Sequence, residues 1–159
     1  MKSSDKRRAF TLVEIMIVVT IIAILSGLVI PQMLRSRMSA NEAAAIAALR
    51  TISNACLSYY SDVIPHAFPE TNNLVALAVP NSNPAYIDAV LANADAPNRA
   101  KQGYYFSYVS ADSEHFSLVG WPADFGRSGG RNFFVNQAGT ITYNSIEDQV
   151  PTEDDLPIQ

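Results

Sequence analysis

The sequence has few of the residues that build disulfides and metal centres. Its one cysteine, Cys56, leaves no internal disulfide to form, and we expect a small buried apolar residue there. The two histidines, His66 and His115, lie far apart without ligand spacing, which argues against a metal site. No nucleophile stands beside a base in a recognisable pattern. The sequence therefore predicts no enzyme, no metal and no cofactor.

The glycine-rich stretch at 126–131 also lacks what a phosphate-binding loop requires. It has no Gly-Lys-Ser/Thr ending, and it lies between predicted strands rather than before a helix. We interpret it as a flexible turn. Near the C-terminus, acidic residues lack the spacing of an EF-hand, so we expect a solvated acidic tail rather than a calcium site. These carboxylates are Glu147, Asp148, Glu153, Asp154 and Asp155.

Positive charge is scarce outside the first nine residues. The whole chain carries a formal charge of −4. The first nine residues, called the leader below, carry a net charge of +3, so the remaining residues carry −7. Without a basic face, the chain is not expected to bind nucleic acid. The four leader cations precede an apolar run, which predicts a cytoplasmic N-terminus with the rest of the chain across the membrane.

The apolar run at 10–30 is long and contains one charge, Glu14. As a helix its 21 residues span about 31 Å, which matches a bilayer core. A secretory signal peptide has a shorter apolar core of about 7–15 residues, although Ala23 and Ser26 offer small residues for cleavage. We therefore predict a retained transmembrane helix.

Glu14 needs a partner, because a carboxylate at membrane depth costs about 2.5–3.5 kcal/mol on insertion scales. A cut between Ala9 and Phe10 would create an α-amine four residues before Glu14. The two charges would then meet within one helix, or between helices of neighbouring subunits. Alternatively, Glu14 lies in the interfacial layer and extends to water. The residues alone leave both readings open.

Helical periodicity continues beyond the apolar run, which predicts one helix from residue 10 to about 62, ending before Pro65. Pro31 removes a hydrogen bond to the carbonyl of Gly27, so these two residues form a predicted weak point. Glu42 and Arg50 are expected outside the apolar stripe of the second half. That stripe comprises Ile46, Leu49, Ile52, Ser53, Cys56, Tyr59 and Tyr60.

After the long helix, we predict a connector with short helices. A region in which apolar residues recur at every second position follows it. The helices are predicted at 74–79 and 85–94, with Asn83-Pro84 starting the second. Four strands, at 103–110, 115–121, 132–137 and 140–144, predict an antiparallel meander. The fold class is thus α+β, with a long N-terminal helix packed on a small C-terminal sheet. The predicted segments are 1–9 (leader), 10–30 (transmembrane half), 31–63 (amphipathic half), 64–102 (connector), 103–146 (meander) and 147–159 (a loose acidic tail).

The stretch from Lys6 to Glu14 resembles the prepilin leader junction of type IV pilins and of the pseudopilins of type II secretion. It combines a basic leader, a small residue, and Phe-Thr-Leu-Val-Glu opening an apolar helix. The resemblance implies that a prepilin peptidase cleaves after Ala9 and methylates the amine of Phe10. It also implies that Glu14 neutralises a neighbour's N-terminus during assembly. Ala9 replaces the glycine usual before the cut.

By this resemblance the chain is a structural subunit of a pilus-like filament. It is inserted once in the inner membrane, with its C-terminal domain periplasmic. Its implied partners are like subunits, the prepilin peptidase and an inner-membrane assembly platform. The missing cysteine pair favours a type II secretion pseudopilin. The major pseudopilin's Asp-Pro-Trp-Gly stretch and calcium loop are also missing, so a minor subunit or a type IV pilin stays open. A membrane-anchored periplasmic enzyme or binding domain is the remaining alternative.

Overall fold

The computed structural model describes residues 10–70, 72–78 and 84–158. The leader, including Ala9, and the predicted helix start at Asn83 lie outside these residues. The chain divides into two compact units, with the boundary between Ser36 and Arg37.

The first unit is helical throughout its described length after Thr11. Helix α1 spans Leu12–Asp62, so it begins two residues later than predicted and ends at the predicted residue. The Thr11 hydroxyl accepts a hydrogen bond from the backbone N–H of Glu14 at 3.2 Å and thereby caps the helix. Pro31 lies inside α1 without interrupting it. Loosening of the helix at Gly27 and Pro31 stays a prediction.

In the second unit, α1 buries the predicted apolar stripe. Leu49, Ile52 and Cys56 are fully buried, and Arg50 is exposed as expected. The expectation for Glu42 was wrong, since only 9 % of this residue is exposed. Glu42 lies three and seven residues before Ala45 and Leu49, which places it on the buried face of the helix.

The described part of the connector contains three short helical turns. A 3₁₀ turn spans Leu74–Leu77, helix α2 spans Ala89–Ala92, and a second 3₁₀ turn spans Pro97–Arg99. The prediction of a helix over 85–94 was wrong in its bounds. Asp88 accepts a hydrogen bond from the N–H of Leu91 at 2.8 Å, so this aspartate caps a shorter helix that starts at Ala89.

A five-stranded antiparallel sheet follows, with its strands in sequence order. The first four strands form the predicted meander and confirm the α+β fold class. The fifth strand falls in the segment that was predicted to be loose, so that expectation was wrong. The strands are β1 (Tyr104–Ser110), β2 (Phe116–Pro122), β3 (Asn132–Asn136), β4 (Ile141–Asn144) and β5 (Leu156–Pro157).

One face of the sheet packs on α1 and forms the core. Alternate residues of β3, Phe133 and Val135, belong to the same buried cluster as Leu49 and Ile52 of the helix. A Cβ at Gly120 would lie 3.4 Å from the Leu49 side chain, an ordinary contact distance, so β2 passes close to the helix at this point.

The opposite face of β3 and β4 is polar yet buried, because the C-terminal segment covers it. The Asn132 amide donates to the carbonyls of Ile146 at 2.7 Å and Gln149 at 3.1 Å. The Thr142 hydroxyl donates to the carbonyl of Thr152 at 2.7 Å. Buried amides and hydroxyls must be hydrogen-bonded, and here the backbone of the C-terminal segment supplies the acceptors. This pairing is why the tail is ordered rather than loose.

Candidate assembly site

Glu14 lies in the first turn of α1, and its surroundings in the first unit are open. Phe10 and Glu14 are both exposed. Glu14 is the third helical residue after the Thr11 cap, a position where the helix dipole also favours a carboxylate. No ion pair to Glu14 is found within residues 10–70, 72–78 and 84–158. The first basic residue after it, Arg35, lies 21 residues later, about 31 Å along a helix.

Large apolar side chains surround Glu14 and continue along α1. They are exposed on all sides of the helix, from Phe10, with 77 % exposed, to Leu34, with 43 %. Among the described residues, α1 is the one helix long and apolar enough to cross a membrane, and none of its most apolar window is buried within the chain. An apolar surface of this extent needs lipid or other helices to cover it.

Glu42, the second glutamate of α1, contrasts with Glu14 because its partners lie within the chain. Its Oε2 atom accepts from Nε of Arg131 at 2.9 Å and from Nη2 at 2.7 Å, and its Oε1 atom accepts from the N–H of Gly130 at 2.9 Å. The Arg131 guanidinium also lies 5.0 Å from the ring centre of Tyr143, within cation–π range. Glu42 therefore fixes the loop before β3 onto the helix.

The loop at 126–131 is consequently anchored, and its interpretation as a flexible turn was wrong. The Asn41 amide donates to the Ser128 carbonyl at 2.8 Å, beside the contacts of Glu42. A Cβ on Gly129 would come within 1.9 Å of the Tyr104 hydroxyl, so only glycine fits there. That hydroxyl donates to the Arg131 carbonyl at 2.9 Å. Burial, and then the charge of Glu42, raise the pKa of Tyr104.

The cysteine and the two histidines lie in surroundings that do not form a reactive or metal-binding site in the part of the chain that the structure describes. Burial raises the pKa of the Cys56 thiol to about 12, so Cys56 is the inert apolar residue that was predicted. His66 and His115 are both exposed, and His115 pairs with Asp112 in the turn between β1 and β2. In the part of the chain that the structure describes, no three metal-ligating side chains cluster together.

Sequence reasoning missed the Glu42–Arg131 pair, because the two residues are 89 positions apart. One signal was available. Glu42 stands seven residues before Leu49, which is two helical turns along the same stripe. A charged residue in an apolar stripe indicates a partner elsewhere in the chain, although the pattern does not say which one.

Comparisons with known proteins support the family resemblance predicted from the leader junction. The prokaryotic N-terminal methylation motif matches residues 4–30. Type II secretion system core protein G of Escherichia coli K12 is 38 % identical over 72 residues, which are 45 % of this chain and 48 % of that protein. Its namesake from Vibrio cholerae serotype O1 is 34 % identical over 85 residues, 53 % of this chain and 57 % of that protein. The chain thus spans about half the length of the curated relatives it matches. These matches confirm the predicted resemblance.

Proposed function

We propose, starting from the chain's place in the type IV pilin and pseudopilin family, that it is a structural subunit of a type II secretion pseudopilus. One observation carries this proposal. The first unit exposes an apolar helix surface whose single carboxylate, Glu14, lacks a cation in its own chain within the described residues. Such a surface suits polymerisation through helix packing.

The proposed topology follows from charge and apolar length. The leader cations stay in the cytoplasm, and α1 crosses the inner membrane with its first half. The second unit, which has its own core, folds in the periplasm. The helix, together with the similarity to the secretion proteins, fits an inner-membrane anchor.

Processing then prepares the helix for assembly. In this proposal a prepilin peptidase cuts between Ala9 and Phe10 and methylates the new amine, which remains a cation. An inner-membrane assembly platform lifts the subunit out of the membrane, and Glu14 of a neighbouring subunit pairs with the amine. A buried charge without a partner costs several kcal/mol, so this pairing sets the register between subunits. Gly27 and Pro31 allow α1 to adjust when it exchanges lipid for neighbouring helices.

Two other functions predict different outcomes. A type IV pilus subunit, major or minor, would be needed for surface pili rather than for protein secretion. The relatives named above favour secretion. A membrane-anchored enzyme or binding domain would act without Glu14, because a simple anchor requires no carboxylate at this depth. Deleting the gene, and scoring secreted proteins and surface pili separately, distinguishes the first two functions.

The mature N-terminus tests the proposal directly. Mass spectrometry of the membrane-extracted protein should find a chain that starts at Phe10 with a methylated amine. Ala9→Gly should be processed at least as well, whereas the bulky Ala9→Leu should stay uncut and serves as the control. An intact Met1 terminus in the parent chain, or a cut after Ala23 or Ser26, would contradict the proposed function.

A further inference from the structure

The sheet ends in two edges, β1 and β5, where a strand from another molecule could add to it. The edge at β1 is covered by the chain that precedes it. The N–H of Phe106 points away from β2 and donates to the carbonyl of Ala94 at 2.7 Å. The N–H of Ser110 donates to the side chain of Asn72 at 3.3 Å. Because the connector already uses these backbone donors, β1 is a poor template for a further strand.

The edge at β5 is not covered by another strand of the described chain. The N–H of Ile158 donates to the carbonyl of Ile141 at 2.9 Å, just before β4 begins its pairing. Leu156 lies opposite Tyr143 of β4. In an antiparallel pair, successive residues direct their backbone groups to opposite sides. The backbone groups of Leu156 and Ile158 therefore point toward β4, and those of Pro157 point toward the free edge.

The residue at the centre of this free edge is thus a proline, which has no N–H to donate. The preceding residue with the same orientation is Asp155, and its N–H already donates to the carbonyl of Thr152 at 3.3 Å. Within the described residues, β5 therefore offers no free N–H to an added strand. A proline at this position is compatible with the sheet because its nitrogen faces away from β4.

The side chains of β5 would otherwise favour association. Leu156 is 66 % exposed, and Ile158 packs against the hydrophobic core, so apolar surface continues from the core to the edge. Exposed apolar edge strands are sites of unwanted pairing, which proteins prevent with proline and with charged residues. Here Asp154 and Asp155 directly precede the strand.

We propose that Pro157 prevents β5 from pairing with β5 of a second copy of this chain. Two antiparallel copies of β5 related by a two-fold axis would place their residues 157 opposite each other, so each copy would need the N–H that proline lacks. In a filament the sheets then stay separate while the subunits pack through α1. Only this last consequence rests on the proposed function, because the missing donor acts between any two copies.

Crosslinking of the full chain, extracted in detergent, tests this role of Pro157. Leu156→Cys supplies an exposed reporter thiol, while the buried Cys56 stays unreactive because burial raises its pKa to about 12. In an edge pair centred on residue 157, the two reporters are diagonal neighbours about 7–8 Å apart, within reach of a short bis-maleimide. Adding Pro157→Ala supplies one N–H in each copy and should raise the crosslinked dimer about threefold at equal protein concentration.

Two controls separate edge pairing from other effects. Pro97→Ala, at the exposed start of the second 3₁₀ turn, should leave the crosslinked dimer of the Leu156→Cys reporter unchanged. A reporter at the exposed Gln149, outside β5, should give no increase with Pro157→Ala, whereas a C-terminal segment that had merely come loose would crosslink there too.

Three results would overturn the inference. They are equal crosslinking of the Leu156→Cys reporter with and without Pro157→Ala, an equal increase at the Gln149→Cys reporter, and an equal increase with Pro97→Ala. The experiment uses unassembled chains, so it distinguishes this inference from the proposed function. A parent chain that forms no filament in cells would overturn the proposed function and leave the crosslinking comparison unaffected.

Discussion

The two glutamates of α1 differ in burial and in whether they have a partner within the described chain. Glu42, in the second unit, is buried and accepts three hydrogen bonds from Arg131 and Gly130 of its own chain. Glu14, in the first unit, is exposed among apolar side chains, without an ion pair in the described residues. A carboxylate whose partners are internal stabilises the fold. In the proposed function, the carboxylate of Glu14 instead takes its cation from a neighbouring subunit.

The two units differ in the same way as their glutamates. The second unit covers its apolar residues with a sheet, a connector and a C-terminal segment. The first unit leaves its apolar residues exposed, so lipid or neighbouring helices must complete it. We therefore expect changes in the apolar surface of the first unit to affect assembly, and changes in the internal contacts of the second unit to affect stability.

The largest effect is expected from Glu14→Ala. Removing this carboxylate leaves the α-amine of Phe10 without a partner when helices pack side by side, and an unpaired buried charge costs several kcal/mol. Filament yield should be lost, while membrane insertion and leader cleavage stay intact. Glu14→Gln should be nearly as damaging, because it keeps the shape and loses the charge. The measurement is sheared filament yield per cleaved subunit.

The exposed Glu114, in the turn between β1 and β2, supplies the control for Glu14. Exposed charges contribute only about 0–1 kcal/mol, so Glu114→Ala should assemble like the parent. Normal assembly of Glu14→Ala would mean that the Glu14 carboxylate only extends to water. Glu14 would then have no role in assembly, and only Glu42 would have the role assigned to it here.

Separating the two units is the next test. A fragment of residues 37–159 retains the core cluster and the Glu42–Arg131 pair, and it lacks the exposed apolar helix. It should be a soluble monomer with a cooperative thermal transition, measured by circular dichroism and sedimentation. Aggregation, or a helical spectrum without any transition, would show that the second unit depends on the first.

Most of the fold was predictable because its signals are local. The stripe around Leu49 and Cys56 repeats with the helical period, and β1 places an aromatic residue at every second position from Tyr104 to Tyr108. The end of α1 at Asp62 follows from the proline three residues later. The leader junction is equally local, so the family resemblance was available from the first residues of the chain.

Apart from the bounds of α2, which the local Asp88 cap sets, the failures concern polar contacts between distant residues. Glu42 pairs with Arg131, which lies 89 positions later in the sequence. The Asn132 amide of β3 donates to backbone carbonyls of the C-terminal segment, which was predicted to be a solvated tail. Composition suggested disorder there because acidic and proline residues are frequent, but Pro151 is buried against the sheet. A sequence pattern records polarity, and it does not record which polar groups have partners.

Glu42→Ala should produce the largest loss of stability in the second unit. It removes the acceptors of the Arg131 guanidinium and the Gly130 N–H, and breaking such a pair costs about 3 kcal/mol. Urea unfolding of the 37–159 fragment measures this loss, with Glu114→Ala expected within about 0.5 kcal/mol of the parent. Unchanged stability in Glu42→Ala would mean that the loop is held without its anchor.

Asn132→Ala should have a smaller effect, confined to the C-terminal segment. The lost amide donates to Asn144, Ile146 and Gln149, and removing it leaves buried acceptors unpaired at a cost of about 1–3 kcal/mol. Amide hydrogen exchange should accelerate over residues 146–158 and stay unchanged in β1 and β2. The exposed Asn54→Ala is the matched control. Equal acceleration across the whole sheet would indicate global destabilisation instead of a released segment.

The smallest effect concerns an exposed ion pair of the second unit, Lys101 with Asp88 at 2.8 Å. The hydrogen bond from Lys101, and then that from the N–H of Leu91, lower the pKa of Asp88 below its ordinary value. A lowered folded-state pKa stabilises the fold above the ordinary carboxyl range, and this contribution is lost as the pH falls through the folded-state pKa. Lys101→Met should raise the pKa of Asp88, followed by NMR, and cost below about 1 kcal/mol at neutral pH because both side chains are partly solvated. Lys101→Arg should keep the lowered pKa. An unchanged pKa of Asp88 in Lys101→Met would mean that the hydrogen bond from Leu91 at the helix cap causes the shift. A loss of stability as large as that of Glu42→Ala would mean that exposed and internal ion pairs contribute equally to the stability of this fold.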